Sequence, residues 1–122
     1  MAETVAIAPA NAVLFVSDAS GGTTPEFVAN RSVLSTDTVI SVDCLPDVDG
    51  ETRVTLGPAT EVGMAGPPVF DGAIKTPTKG VLVSTVEHEE ILAAAVPSLE
   101  TRIRIWTSRT VDPDDIVIAW GG

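Results

Sequence analysis

Positive charge is scarce in this sequence. Seven Lys and Arg stand against 17 Asp and Glu in 122 residues, a formal net charge of −10. Nucleic-acid binding depends on Lys and Arg displacing counterions from phosphates, and so few scattered bases cannot build a basic face. Nucleic acid is therefore excluded as a partner, and anionic membrane surfaces with it; a basic protein is favoured, because opposite fields steer encounter. There is one cysteine, so no internal disulfide can form. Cys44 sits in an apolar alternation, as a small core residue would in a reducing compartment. There is one histidine, His88, and no tyrosine, which thins the stock of acid–base groups. No apolar run approaches the roughly 20 residues that span a bilayer. Met1-Ala2-Glu3-Thr4 also lacks the positive charge of a secretory leader. The expectation is a cytoplasmic protein with no cofactor and no metal.

What is present is ordinary for a folded domain. Hydrophobic residues make up 44% and charged residues 20%, too apolar for disorder, over a length that one core fills. We read residues 1–122 as a single β-sandwich-like domain. Period-2 alternation rich in Val, Ile and Thr, cut at short intervals by Gly, Pro and Asp, is the pattern of an antiparallel β-sandwich or barrel. It predicts about eight strands, over 12–17, 40–44, 52–56, 69–74, 81–86, 91–96, 102–107 and 116–120. Thr24-Pro25-Glu26 offers an N-cap, a first-turn proline and an acid at the positive end of a helix dipole, which predicts one short helix near residues 25–31.

In Ile40-Ser41-Val42-Asp43-Cys44 and Thr52-Arg53-Val54-Thr55-Leu56 the even positions are apolar. That fits a hairpin closed by Val48-Asp49-Gly50, with Gly50 in a left-handed bulge position. Gly57-Pro58 and Gly63 to Pro68 read as loop, the second stretch being suited to contacting a partner. Residues 87–96 are ambiguous. Ser84-Thr85-Val86-Glu87 has capping-box form and Glu89 to Ala95 has high helix propensity, whereas Ile91 to Val96 also reads as a strand turned by Pro97-Ser98-Leu99. In the strand that follows, Ile103, Ile105 and Thr107 share one face and Arg102, Arg104 and Trp106 the other. The apolar run Ile116 to Trp120 is expected to be buried on both faces.

No constellation for catalysis emerges. In a strand, His88 would point away from Glu87 and Glu89; in a helix, the positions three and four residues away hold Ser84, Thr85, Ile91 and Leu92. Asp47-Val48-Asp49-Gly50 resembles part of a calcium loop, but Leu45 and Leu56 fall where ligands belong. There is no G-x-S-x-G elbow and no phosphate-binding glycine loop. A Cys44–His88 pair would need a core residue to meet a surface one. Three acidic clusters remain: Asp43, Asp47, Asp49 and Glu51; Glu87, Glu89 and Glu90; and Asp112, Asp114 and Asp115. Together they suit a negative surface for a basic partner. Trp106 reads either as an interface hot spot or as an indole packed beneath arginine stems.

The order Leu14-Phe15-Val16, Thr24-Pro25, Ile40-Ser41-Val42 resembles the competence-protein-J family, small inhibitors of the bacterial DNA-entry nuclease. The C-terminal block Gly80-Val81-Leu82-Val83-Ser84, Leu92-Ala93-Ala94-Ala95-Val96-Pro97 and Ile103-Arg104-Ile105-Trp106-Thr107 is similar too. The resemblance implies a β-sandwich-like, non-enzymatic inhibitor, and a strand rather than a helix at Ile91 to Val96. It implies acidic residues standing in for DNA phosphates in a nuclease's basic site. The candidate partner-binding residues are Asp43, Asp47, Asp49, Glu51, Asp112, Asp114, Asp115 and Trp106. The competing expectation is a β-barrel or sandwich with a small-molecule pocket near Trp106 or Trp120.

Overall fold

Wherever Val and Ile alternate with polar residues, the chain is extended. The computed structural model describes residues 2–26, 28 and 31–121. Its strands are β1 Glu3–Ile7, β2 Val13–Ser17, β3 Val33–Ser35, β4 Val39–Asp43, β5 Thr52–Pro58, β6 Phe70–Lys75, β7 Gly80–Ser84, β8 Leu92–Ala95, β9 Glu100–Thr107 and β10 Asp115–Trp120. One turn of α-helix, α1 Ala59–Val62, follows β5. The strands form two five-stranded sheets, in the orders β1-β5-β10-β9-β6 and β3-β4-β2-β7-β8.

One face of each sheet supplies the core. Leu14, Val16, Ile40, Val42, Val81 and Val83 of one sheet share a buried cluster with Val54, Leu56, Ile103, Ile105, Ile116 and Ile118 of the other. Each such burial contributes about 1.5–3 kcal/mol. β10 lies between β5 and β9, and Ile116, Ile118 and Ala119 have no exposed surface, but Val117 and Trp120 are only half-buried, so the run is not fully enclosed on both faces as expected. Residues 92–95 are strand: packing Leu92 and Val96 into the core overrides the helix propensity of the alanines.

Several expectations are corrected. The 40–44 and 52–56 segments do not form a hairpin. β4 pairs with β2 and β3, whereas β5 pairs with β1 and β10. The matched even positions mean that both strands face one core from opposite sheets, since alternation specifies the buried face and not the neighbour. Between them Asp47–Asp49 forms a 3-10 turn, and Gly50 (φ 130°) takes a backbone conformation that glycine favours. The sheets are not wholly antiparallel either: β10 runs parallel to β5, from Asp115 opposite Arg53 to Trp120 opposite Pro58. The sequence pattern missed β1 and β3, one an edge strand whose outward residues are exposed and the other only three residues long. The short helix is α1 in the structure. Of the helix expected over 25–31, residues 27, 29 and 30 lie outside the described residues, and Pro25, Glu26, Val28 and Arg31 are not helical. Gly57-Pro58 belongs to β5, where a Cβ on Gly57 would come within 2.8 Å of Ala2 Cβ and 2.9 Å of Val62 Cγ1. No helix among the described residues is long and apolar enough to cross a membrane.

Candidate functional site

Strand direction gathers four connections at one end of the molecule. β1 ends there beside the start of β5, with Ile7 opposite Thr52. β2 begins there beside the end of β4, with Val13 opposite Asp43, and Phe15 opposite Ser84 brings in the end of β7. β9 and β10 meet there, with Thr107 opposite Ile116. Backbone bonds tie the two sheets together at this end: Cys44 N–H donates to the Ala12 carbonyl at 2.9 Å, Leu45 N–H to that of Pro113 at 2.9 Å and Arg53 N–H to that of Asp114 at 2.8 Å. Residues 8–12, 44–51, 85–91 and 108–114 therefore form one surface.

All three acidic clusters lie on these connections or at the adjoining strand ends: Asp43, Asp47, Asp49 and Glu51; Glu87, Glu89 and Glu90; Asp112, Asp114 and Asp115. The basic side chains near them are Arg31, Arg53, Arg109 and His88. Local bonding fixes the last cluster. Ser108 Oγ donates to Asp114 Oδ1 at 2.9 Å and accepts the Asp114 and Asp115 amides at 3.2 and 3.3 Å. Arg109 Nε donates to the carbonyls of Val111 and Asp112 at 3.2 and 2.9 Å, closing a turn in which Asp112 is left-handed at φ 48°. Aspartate tolerates that conformation better than most side chains.

The acids at this end are not equivalent. Asp115 is held by Arg53 through both Nε and Nη2, across the parallel β5–β10 pair, so its charge is largely answered. Asp43 is partly buried, and burial, followed by the charge of Asp112, holds its carboxyl above the usual carboxylate range. Asp47, Asp49 and Glu51 are exposed. Burial, with the charges of Asp43 and Asp112 adding, pushes the Cys44 thiol up to about 11. Cys44 is 1% exposed while His88 lies on the surface, so the thiol is protonated and inert at neutral pH and has no imidazole beside it.

Trp106 is largely enclosed. It lies on the outward face of β9 but is only 9% exposed. The 63–68 segment covers it, Trp106 Nε1 donating to the Gly66 carbonyl at 3.1 Å, and the Arg104 guanidinium carbon stands 6.0 Å from the ring centroid. A hollow of about 290 Å³ beside it is lined by Met64, Ala65 and Val117, among others.

Sequence reading also had no means of joining Glu51 to Glu87. They belong to different acidic runs, yet both line a cleft of about 230 Å³ with His88. Nothing local in either run signals the other.

Solved structures show what this architecture is similar to. ComJ from Bacillus subtilis, an inhibitor of the DNA degrading activity of NucA, matches with a TM-score of 0.71 at 10% identity, covering 98% of this chain and 95% of that one. The chain has a ComJ-like fold. A second structure, described as crocagin biosynthetic gene J, matches with a TM-score of 0.52 at 10% identity over 99% of this chain and 97% of that one. No family model and no curated sequence matches. The likeness to ComJ is therefore one of fold, and the C-terminal run of β7, β8 and β9 that resembled its family is strand in all three segments.

Proposed function

We propose that the chain is a non-enzymatic, acidic interaction protein that inhibits a nuclease or a similar basic protein by filling its cleft. The observation that carries this reading is the meeting of three separate acidic runs at one end of a ComJ-like fold. Asp43, Asp47, Asp49, Glu51, Asp112 and Asp114 would present the charge, standing in for DNA phosphates against Lys and Arg of the partner. Asp115, engaged by Arg53, would shape the surface more than it binds. Trp106 would hold the 63–68 segment down over β9 and not enter the interface. The partly buried Asp43, crowded by Asp112, supports the reading further, since unfavourable like-charge placement is commoner at functional surfaces than elsewhere.

The test uses NucA as the probe nuclease. Inhibition of DNA cleavage is titrated at low and moderate salt with the parent chain and with Asp43→Lys/Asp47→Lys/Asp49→Lys. The parent is expected to inhibit, less as salt rises, and the triple variant to associate at least about tenfold more slowly. An equal on-rate in parent and variant would remove the electrostatic mechanism. If NucA is unaffected, and the chain retains no basic protein from its own cells' lysate at low salt, the inhibitor reading fails.

A further inference from the structure

The cleft of about 230 Å³ lies at the acidic end, where β1 of one sheet approaches β8 of the other. Its chemistry is graded. Pro9 and Thr85 are buried and Ile7 and Ile91 half-buried, giving a floor that is aliphatic apart from one threonine, while Glu51, Glu87 and His88 are exposed at the rim. The two carboxylates come from different connections, one crossing between the sheets from β4 to β5 and the other joining β7 to β8 within one sheet. Glu51 precedes β5, and Glu87 lies between β7 and β8. The rim is held in place. Thr85 N–H donates to the His88 carbonyl at 2.9 Å, His88 N–H donates to Thr85 Oγ1 at 3.1 Å, and Glu87 Oε1 accepts the Ala10 amide at 3.3 Å. Among the described residues neither Glu51 nor Glu87 forms an ion pair.

Size narrows the occupant. Small-molecule pockets usually measure about 300–1,000 Å³, and this cleft falls below that range. A cleft that sets the aliphatic side chains of Ile7, Pro9 and Ile91 beside the carboxylates of Glu51 and Glu87 matches a side chain with an aliphatic stem and a charged head. We propose that the cleft receives one Lys or Arg side chain of a basic protein partner. The proposal rests on the reading of the acidic end as a protein-binding surface, and gives that surface a socket that fixes the register of docking.

The test is an NMR titration of the full ¹⁵N-labelled chain with N-acetyl-arginine amide. N-acetyl-citrulline amide, of the same length but uncharged, serves as the control. Backbone signals of Glu51, Glu87 and His88 are expected to move saturably with the arginine probe and little with the citrulline probe. Glu51→Gln/Glu87→Gln, shown to be folded by its unchanged signal dispersion, should weaken binding by about tenfold or more. Equal shifts with citrulline, no shifts, or shifts spread evenly over Asp47, Asp49 and Asp112 would overturn the socket. The nuclease titration keeps the two readings apart. Salt-dependent inhibition by a chain that ignores the arginine probe sinks the socket alone, and saturable arginine binding with neither NucA inhibition nor a basic protein retained from lysate sinks the inhibitor reading alone.

Discussion

Asp18 has no exposed surface, yet it is a carboxylate. It accepts the Ser20 amide at 2.8 Å, Ser20 Oγ at 2.6 Å, the Thr78 amide at 3.1 Å and Thr78 Oγ1 at 2.8–2.9 Å. Burial pushes its pKa up, but these bonds outweigh burial and hold it at about 2. The network fastens the end of β2 to the turn between β6 and β7, at the end of the molecule opposite the acidic surface. The folded state thus prefers the charged form. This stabilisation is fully present above the unfolded value of 3.8 and is lost as pH falls toward about 2. Asp18→Ala should cost about 2–3 kcal/mol at pH 7, since it orphans buried donors. Urea unfolding checks this, and the gap between parent and variant should narrow at pH 2.5. A constant gap across that range would show that packing around Asp18, and not its charge, is what counts.

At the level of elements, Gly57 shows how closely the pieces fit. It sits in β5 with the N-terminal segment on one side and α1 on the other, and both would stand within 3 Å of a Cβ. Gly57→Val should therefore cost about 1–3 kcal/mol by forcing β1 or α1 outward. Thermal unfolding reads the loss, and hydrogen exchange should show it concentrated in β1; an unchanged Tm would mean that α1 yields freely. Gly57 also marks the limit of what the sequence discloses. Gly-Pro reads as a break, but β5 tolerates Pro58 because it is the last residue of the strand. The eight strands with clear alternation or an apolar run were legible, because burying one face dictates a period of two. Pairing was not legible. Val42 and Leu56 carry the same parity whether they sit side by side or face each other across the core. The gathering of the acidic clusters was hidden for a related reason. β2 ends at the opposite end of the molecule from where β3 begins, so counting strands does not reveal which turns share an end.

On the scale of the whole molecule, charge is polarised as well as negative. The end built from residues 8–12, 44–51, 85–91 and 108–114 crowds acids around few bases. Elsewhere Lys75 pairs with Asp37 at 3.1 Å and Arg102 with Asp71 at 2.7 Å. A net charge of −10 repels itself in the compact state, and unevenly placed charge does so most where it is dense. Salt should then act with opposite signs on stability and on binding. The Debye length shrinks from about 30 Å at 0.01 M to about 3 Å at 1 M, so added NaCl relieves repulsion between the acidic connections while screening the field that attracts a basic partner. Raising NaCl from low to high concentration should lift Tm by a few degrees and slow association with that partner by about tenfold or more. Potassium sulfate at matched ionic strength controls for the general strengthening of apolar burial. The Asp43→Lys/Asp47→Lys/Asp49→Lys variant should lose most of both salt responses together. If it lost the association response but kept the rise in Tm, the repulsion would be spread over the whole surface, and the acidic end would owe its composition to binding alone.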